Sequence, residues 1–381
     1  MKYKSCFAYL LLSVALTSTA CMAEAEQNQQ PEQCQAWPAW HAFNKNLITK
    51  DGRVIDPSTD FLYTTSEGQS YGLFFALVAN NQPLFNKLLI WTQNNLSQGD
   101  LTARLPAWQW GKRKDDSWGV IDSNSASDSD LWITYALLEA GRLFKDKRYT
   151  ALGKLLSQRI LREETTDLPG LGPTLLPGPV GFHPDEKTWR LNPSYVPIQV
   201  LRALYHHTHN HKWLTLIQSS QQLLIQSAAK GFAPDWINYH AQNGFELKGE
   251  GSFDAIRVYL WAGMMHKDDP LQQAQLNQFK PMLDYLAKHA VPPQSIDIIS
   301  GKNKGVGSVG FSAALLPFLA SSNAAAQLEQ QKLRLVARPL SENPNDYYDQ
   351  VLGLFGQGWI DKRFSFDKEG RLLPAAGTVC P

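Results

Sequence analysis

The sequence has almost no net charge. Its 381 residues include 36 Lys and Arg against 35 Asp and Glu, so the formal charge is +1. A chain without a positive excess lacks the electrostatic surface that binds nucleic acid or holds a protein on an anionic membrane. We therefore predict no nucleic-acid partner and no attachment to a membrane through a basic patch.

A hydrophobic run long enough for a permanent membrane anchor is also lacking at the N-terminus. The apolar run Cys6–Leu16 follows two lysines and is too short to span a bilayer. Ala23-Glu24-Ala25 has the small-x-small form of a signal-peptidase site. We predict a signal peptide at 1–25, a flexible polar leader at 26–33, and export to the periplasm with no membrane span in the mature protein.

Cysteine is scarce, with four residues in the chain. Cys21 would carry a lipid in a lipoprotein, but Ser18 stands where such signals have an apolar residue, so lipidation is the less favoured alternative. After cleavage, Cys34 and Cys380 remain near the two ends of the chain. Chain ends are commonly close in a compact domain, so we predict a disulfide worth at most about 5 kcal/mol, with two free thiols as the alternative.

No low-complexity linker follows Trp37, so residues 34–381 are predicted to form a single domain. Apolar residues recur with a helical period of 3.6 and predict ten helices. Their approximate ranges are 71–78, 84–96, 133–144, 149–164, 194–208, 212–227, 252–264, 271–289, 311–320 and 344–356. Pro- and Gly-rich loops separate them, the largest at 168–184 and 301–310. With no convincing run of alternating strands, the sequence predicts an all-α fold with its helices in a closed ring.

Three acids stand at the predicted N-termini of helices: Glu67, Asp128 and Asp254. Singly, each has a structural explanation, because an acid in a first turn caps free N–H groups or interacts favourably with the helix dipole. Gly68 and Gly72, which are costly in a helix, indicate that some group approaches the backbone beside Glu67. In a ring of helices all three acids can lie at one mouth.

Three carboxyl groups at one mouth suit glycoside hydrolysis. That reaction needs a protonated carboxyl at the leaving oxygen and a second carboxylate for water or for the sugar. A helix dipole lowers the pKa of a carboxyl group, so burial or repulsion from Asp128 would have to keep the proton donor protonated.

The motifs Ser66–Gly72, Ala126–Asp130 and Phe253–Arg257 resemble the three acidic motifs of family 8 glycoside hydrolases. The resemblance extends over about 34–380 and is greatest to members associated with bacterial cellulose synthase. Four further segments match that group: Pro106–Gly111, Asn192–Tyr195, Gly231–Trp236 and Phe355–Trp359. Ser129 and Thr134 depart from the family signature, which usually has smaller residues there.

The resemblance implies an (α/α)6 barrel with an open cleft that cuts β-1,4-glucan with inversion. Glu67 would be the general acid, Asp254 the base that activates water, and Asp128 the acid that orients the distorted sugar. Inversion further predicts that the carboxyl groups of Glu67 and Asp254 lie about 6.5–9.5 Å apart. The implied partners are cellulose chains and the cellulose synthase and export complex.

The chain is rich in aromatic residues, with 12 Trp, 13 Tyr and 17 Phe. Flat rings pack on the apolar faces of sugars, and the resemblance favours this role for Trp108, Trp110 and Tyr195. Asn192 is predicted to bind substrate with them. Arg257 would orient Asp254, with a buried structural ion pair as the alternative. Most other tryptophans, including those at 91 and 261, are predicted to pack in the core.

Three alternatives stay open from the sequence. The same acids would serve on xylan or chitosan, since pocket contacts rather than the acids select the sugar. A mainly non-catalytic glucan-binding assembly protein is the third, although such a protein has no use for a proton donor and a base. No cofactor and no metal is predicted, because His206, His207, His209 and His211 lack Cys or carboxylate neighbours at ligand spacing.

Overall fold

The computed structural model describes residues 36–58 and 60–375. The predicted signal peptide, Cys34 and Cys380 lie outside these residues. Thirteen α-helices occur in the described part, and all ten predicted helical segments fall on them. The helices are α1 Pro38–Leu47, α2 Ser66–Val78, α3 Gln82–Leu96, α4 Ser127–Leu143, α5 Lys147–Glu163, α6 Ile198–Thr208, α7 Lys212–Ser227, α8 Ala255–Met264, α9 Gln272–Gln278, α10 Lys280–His289, α11 Val309–Ser321, α12 Ala325–Ala337 and α13 Tyr347–Ile360.

Six inner helices, α2, α4, α6, α8, α11 and α13, form a ring in which neighbours pack side by side. Phe355 of α13 closes the ring against α2, with its ring centroid 5.1 Å from Tyr71 and 4.6 Å from Phe75. The remaining helices pack outside, and each inner helix up to α11 leads into an outer helix that returns along it. The inner helices therefore all begin at one end of the ring, which we call the mouth. The predicted (α/α)6 barrel is confirmed.

The inner helices are apolar on nearly every side, which is typical of helices enclosed by others. All residues of α8 are buried, and so are those of α4 from Ser127 to Ala140. Glycines permit the closest approaches between inner helices. A Cβ atom at Gly263 would collide with the backbone at Phe318, and one at Gly356 would collide with the carbonyl of Ala313.

Thirteen short strands, of two to five residues each, were not predicted. They form five small antiparallel sheets. The strands are β1 Thr64–Thr65, β2 Gln109–Lys112, β3 Trp118–Asp122, β4 Thr165–Leu168, β5 Gly172–Leu175, β6 Thr188–Leu191, β7 Ile237–His240, β8 Gly244–Phe245, β9 Glu250–Gly251, β10 Pro293–Asp297, β11 Asn303–Val306, β12 Phe364–Phe366 and β13 Leu372–Pro374. Part of the predicted loop at 301–310 is thus strand β11, which pairs with β10.

Four of these sheets lie in the segments that lead into inner helices and so build the rim of the mouth. The fifth, β12 with β13, follows α13 and lies against the other end of α4. There the buried Glu139 accepts a hydrogen bond from the backbone N–H of Leu372 at 2.9 Å and contacts His207 at 2.5 Å. His207 of the histidine tract therefore pairs with a carboxylate. Among the described residues, no helix is both long enough and apolar enough to cross a bilayer.

Candidate active site

Arg257, in the first turn of α8, joins the three predicted acids. Its Nη1 lies 2.5 Å from Glu67 Oε2 and 3.3 Å from Asp128 Oδ2, and its Nη2 lies 2.6 Å from Asp254 Oδ1. Nη1 also donates to the hydroxyl of Tyr71 at 3.2 Å. The arginine is 4% exposed, so one almost fully buried cation serves three carboxylates from three inner helices. The predicted pairing of Arg257 with Asp254 is therefore part of a larger cluster.

None of the three acids acts as a conventional cap. The side chain of Thr65 caps α2 by accepting from the N–H of Gly68 at 3.0 Å, and this leaves Glu67 free to reach Arg257. The N-terminus of α8 is held by Asp235. Its Oδ1 accepts the backbone N–H groups of residues 252, 254 and 255 at 2.7–3.0 Å. The prediction that Ser252 caps this helix is wrong, because its hydroxyl donates to the carbonyl of Gln294 instead.

The glycines beside Glu67 accommodate the protein itself. A Cβ atom at Gly68 would lie 3.3 Å from the hydroxyl of Tyr347, and one at Gly72 would lie 3.0 Å from Val54 and 3.2 Å from Leu88. These are contacts tighter than ordinary van der Waals packing. The close approach inferred from the two glycines is therefore that of neighbouring side chains, which brings Tyr347 of α13 to the acid.

Asp128 is the most enclosed of the three acids. Its side chain is 5% exposed, whereas those of Glu67 and Asp254 are 22% and 26% exposed. Burial raises the pKa of Asp128 to about 7, against the opposing effect of Arg257. Ser129, one of the departures from the family signature, donates to Asp128 Oδ1 through its backbone N–H at 2.7 Å and its hydroxyl at 3.2 Å.

Tyr347 was not identified from the sequence. Its hydroxyl donates to Glu67 Oε1 at 3.0 Å, on the side of the carboxyl group opposite Arg257. Burial, reinforced by the Glu67 charge, raises the pKa of Tyr347 well above its ordinary value, so the hydroxyl remains a donor at neutral pH. Its position as the first residue of α13, at the same mouth as Glu67, was the signal available in the sequence.

We expect Tyr347→Phe to lower kcat/KM on a glucan oligomer by about tenfold or more. A hydrogen bond to a charged group contributes about 1.5–3 kcal/mol, and 1.4 kcal/mol corresponds to a factor of ten. Steady-state kinetics at neutral pH would measure the change. Tyr285→Phe on α10 is the matched control, since Tyr285 stacks on His289 outside the ring. Equal activity of the two variants would contradict a role for the Tyr347 hydroxyl.

The predicted sugar-binding aromatic residues divide into two groups around the acids. Trp108 is half-buried, and its backbone accepts from the N–H of Ser66 at 3.0 Å and donates to Asn124 at 2.7 Å. It thus joins the segments that precede Glu67 and Asp128. The ring of Trp110 packs between Trp91 and Trp118, with centroid distances of 5.2 and 5.5 Å.

Tyr195 lies on the other side, in a short 3-10 helix at Pro193–Tyr195. Its ring centroid is 5.9 Å from the guanidinium carbon of Arg257 and 5.9 Å from the ring of Trp236. Asn192 is 2% exposed, and its Oδ1 accepts the N–H and hydroxyl of Ser194 at 3.0 and 2.8 Å. The carbonyl end of Asn192 therefore shapes the turn that presents Tyr195.

The tryptophans predicted to be core residues are buried. Trp91 is 6% exposed and Trp261 is 4% exposed. Trp261 donates its indole N–H to the carbonyl of Ser194 at 2.9 Å and so supports the turn under Tyr195 from below. The helical period on which both predictions rested is a reliable signal of a buried face.

Fold and cluster together define an (α/α)6-barrel enzyme with carboxyl groups at the mouth of its ring. The model of the glycosyl hydrolases family 8 matches residues 5–362. The endoglucanase of Escherichia coli (strain K12) is 50% identical over 351 residues, which are 90% of this chain and 92% of that protein. The endoglucanase of Xanthomonas axonopodis pv. citri (strain 306) is 44% identical, with 96% of each chain covered.

Among solved structures, the crystal structure of endo-1,4-D-glucanase from Vibrio fischeri ES114 is similar, with a TM-score of 0.85 and 45% sequence identity. The alignment covers 89% of this chain and 99% of that one. Endoglucanase Cel10 from Klebsiella pneumoniae, described as a family 8 glycosyl hydrolase, aligns with a TM-score of 0.69 and 26% identity over 85% of this chain and 99% of that one. This chain belongs to glycoside hydrolase family 8.

Proposed function

We propose that this protein is an endo-β-1,4-glucanase that hydrolyses cellulose chains by inverting single displacement. The observation that carries the proposal is the sharing of Arg257 by Glu67, Asp128 and Asp254 at the mouth of the ring. The names of the two curated relatives, both endoglucanases, support the same reaction. A glucan-binding assembly protein would not require a proton donor, a base and a third carboxyl in one cluster.

In this mechanism Glu67 protonates the glycosidic oxygen, and Asp254 takes a proton from the water that attacks the anomeric carbon. The proton moves from Glu67 to the leaving oxygen while the water oxygen forms the new bond from the opposite face. Both acids are partly exposed and can reach solvent or sugar. The separation of about 6.5–9.5 Å between their carboxyl groups stays a prediction for this scheme.

Asp128 serves the sugar at the cleavage point and does not act as a nucleophile, since inversion forms no covalent intermediate. Its burial suits a carboxyl that hydrogen-bonds and orients one ring, because a dry site strengthens such contacts. Tyr195 lies beside this acid and offers its ring to the same sugar. Trp108, Trp110 and Asn192 would contact sugars farther along the chain or hold the residues that do.

We further propose that residues 34–381 are the single catalytic domain, exported to the periplasm by the signal peptide at 1–25. The basic and apolar residues at the N-terminus support export. A hydrolase of cellulose in that compartment would act on chains leaving the cell, in cellulose synthesis and export. Its partners would then be the glucan and the cellulose synthase complex.

The experiment is cleavage of cellopentaose by the purified mature protein, with proton NMR following the anomer of each new reducing end. We expect the α-anomer first, because inversion converts a β-linkage to an α-product. An initial β-anomer would contradict inversion. No cleavage of cellopentaose, but cleavage of xylan or chitosan oligomers, would contradict the substrate.

A further inference from the structure

A second pair of acids lies behind Asp128. Asp130 is in the same first turn of α4, and Glu164 follows the last residue of α5. Both side chains are fully buried. The hydroxyl of Ser125 donates to Glu164 Oε1 at 2.6 Å. In the described part of the chain, no donor group reaches Glu164 Oε2 or either carboxyl oxygen of Asp130.

Two neighbouring carboxylates in a dry interior cannot both remain ionised without a donor between them. The side chains of Asp130 and Glu164 are close enough to hydrogen-bond to one another, which requires that one is protonated. Burial raises the pKa of Glu164 to about 8. Burial, and then the charge of Glu164, raise the pKa of Asp130 well above its ordinary value.

The surroundings of the pair oppose a second negative charge. The charged groups that act most strongly on it are Asp128, on the same turn, and Glu163, on α5. Glu163 is already paired with Arg159 at 2.5 Å and Arg162 at 2.8 Å. The remaining neighbour, Ser125, already donates its hydroxyl proton to Glu164.

The pair also joins the segment that carries Asp128 to its support. Ser125 stands two residues before α4, and the carbonyl of Glu164 accepts from the N–H of Leu176 at 2.8 Å. The next residue along, Pro177, accepts from the N–H of Ser127 at 2.9 Å. The end of α5, the start of α4 and the loop at 176–177 therefore meet at Asp130 and Glu164.

We propose that Asp130 and Glu164 hold a proton between them at neutral pH, with Asp130 as the donor, and that this pair positions Asp128. Asp130 acts through another residue and touches no substrate. The positioning role depends on the proposed glucanase activity, whereas the proton between the acids does not. The two parts are therefore tested by separate measurements.

The proton is tested by the pH dependence of unfolding in wild type and Asp130→Asn. An amide donates to Glu164 as the protonated acid does, but it cannot titrate. A carboxyl with a raised pKa stabilises the fold fully at low pH, and that stabilisation is lost as pH rises through the folded pKa. Between about pH 5 and 8, the unfolding constant of wild type should therefore rise relative to that of Asp130→Asn by up to about tenfold per pH unit or more.

Parallel pH curves for the two proteins would overturn the proposal. If Asp130→Asn does not fold, infrared spectroscopy of the folded wild type at neutral pH replaces it. A protonated buried carboxyl gives a C=O stretching band apart from those of carboxylates. The band should persist in Asp128→Asn, which removes the other acid that titrates nearby, and it should weaken in Glu164→Gln. Absence of the band in wild type would also overturn the proposal.

The positioning role is tested by kinetics on cellopentaose. Asp130→Ala should lower kcat by about tenfold or more with a smaller change in KM, because a lost buried hydrogen bond costs about 1–3 kcal/mol. The conservative variant Asp130→Asn should recover most of that loss. Equal kcat values for the alanine and asparagine variants would overturn the positioning role. An inactive wild type with the expected unfolding curves would contradict the proposed function and leave the proton in place.

Discussion

Glu67→Gln is expected to lower kcat on cellopentaose by about 10²–10⁴-fold while the protein stays folded. The amide occupies the same volume beside Arg257 and Tyr347 but carries no transferable proton, and general acid catalysis contributes a factor of that size. Steady-state kinetics and thermal unfolding would be measured together. The loss should be much smaller on an aryl β-cellobioside with a good leaving group, since such a group departs without protonation.

Two further variants separate this role from a general disturbance of the cluster. Asp254→Asn makes the same isosteric change in the predicted base, and a good leaving group should not restore its activity. Glu329→Gln, on the exposed face of the outer helix α12, should leave activity unchanged. Equal losses on both substrates for Glu67→Gln would contradict its assignment as the proton donor.

Arg257→Met is expected to lower the free energy of unfolding by about 3–5 kcal/mol near pH 8, and by much less near pH 5. Removing one member of a buried ion pair leaves an uncompensated charge, and here three carboxylates lose the same cation. At low pH, Asp128 is protonated in both proteins. As pH rises, it must ionise without Arg257, which in wild type favours its charged form.

Denaturant unfolding of both proteins at the two pH values measures this difference. Adding Asp128→Asn to Arg257→Met should restore part of the stability near pH 8, because one unpaired carboxylate is removed. Arg148→Met is the control, since the Arg148 side chain is 86% exposed and an exposed ion pair contributes little. A deficit of the same size at both pH values would show that Arg257 stabilises through packing alone.

The two largest predictions concern contacts that no local pattern reveals. Arg257 and Glu67 are 190 positions apart, and Tyr347 and Glu67 are 280 apart. Helical periodicity predicted the helix that carries each residue, because that pattern depends on neighbours three and four positions away. Which helix ends meet depends on the closure of the ring. Family resemblance identified the three acids but neither Tyr347 nor Asp235.

The helices, their buried faces and the acids at their N-termini were determined by the sequence alone, since each depends on residues within a few positions. Trp91 and Trp261 illustrate this, because their places on apolar faces predicted their burial. The strands were decided only by tertiary structure. A strand of two residues such as β1 is too short for a periodic signal, and it forms because β2, about 45 positions later, supplies its hydrogen bonds.

Tertiary structure also decided the charge of the site. Glu67, Asp128 and Asp254 look alike in sequence, each an acid at the start of a helix, yet their exposed fractions differ from 5% to 26%. Burial sets the pKa of Asp128, and burial depends on the elements packed around it. Asp130 satisfied the sequence pattern of a helix cap, but folding placed it against Glu164, whose contact cannot be inferred from the neighbours of either residue.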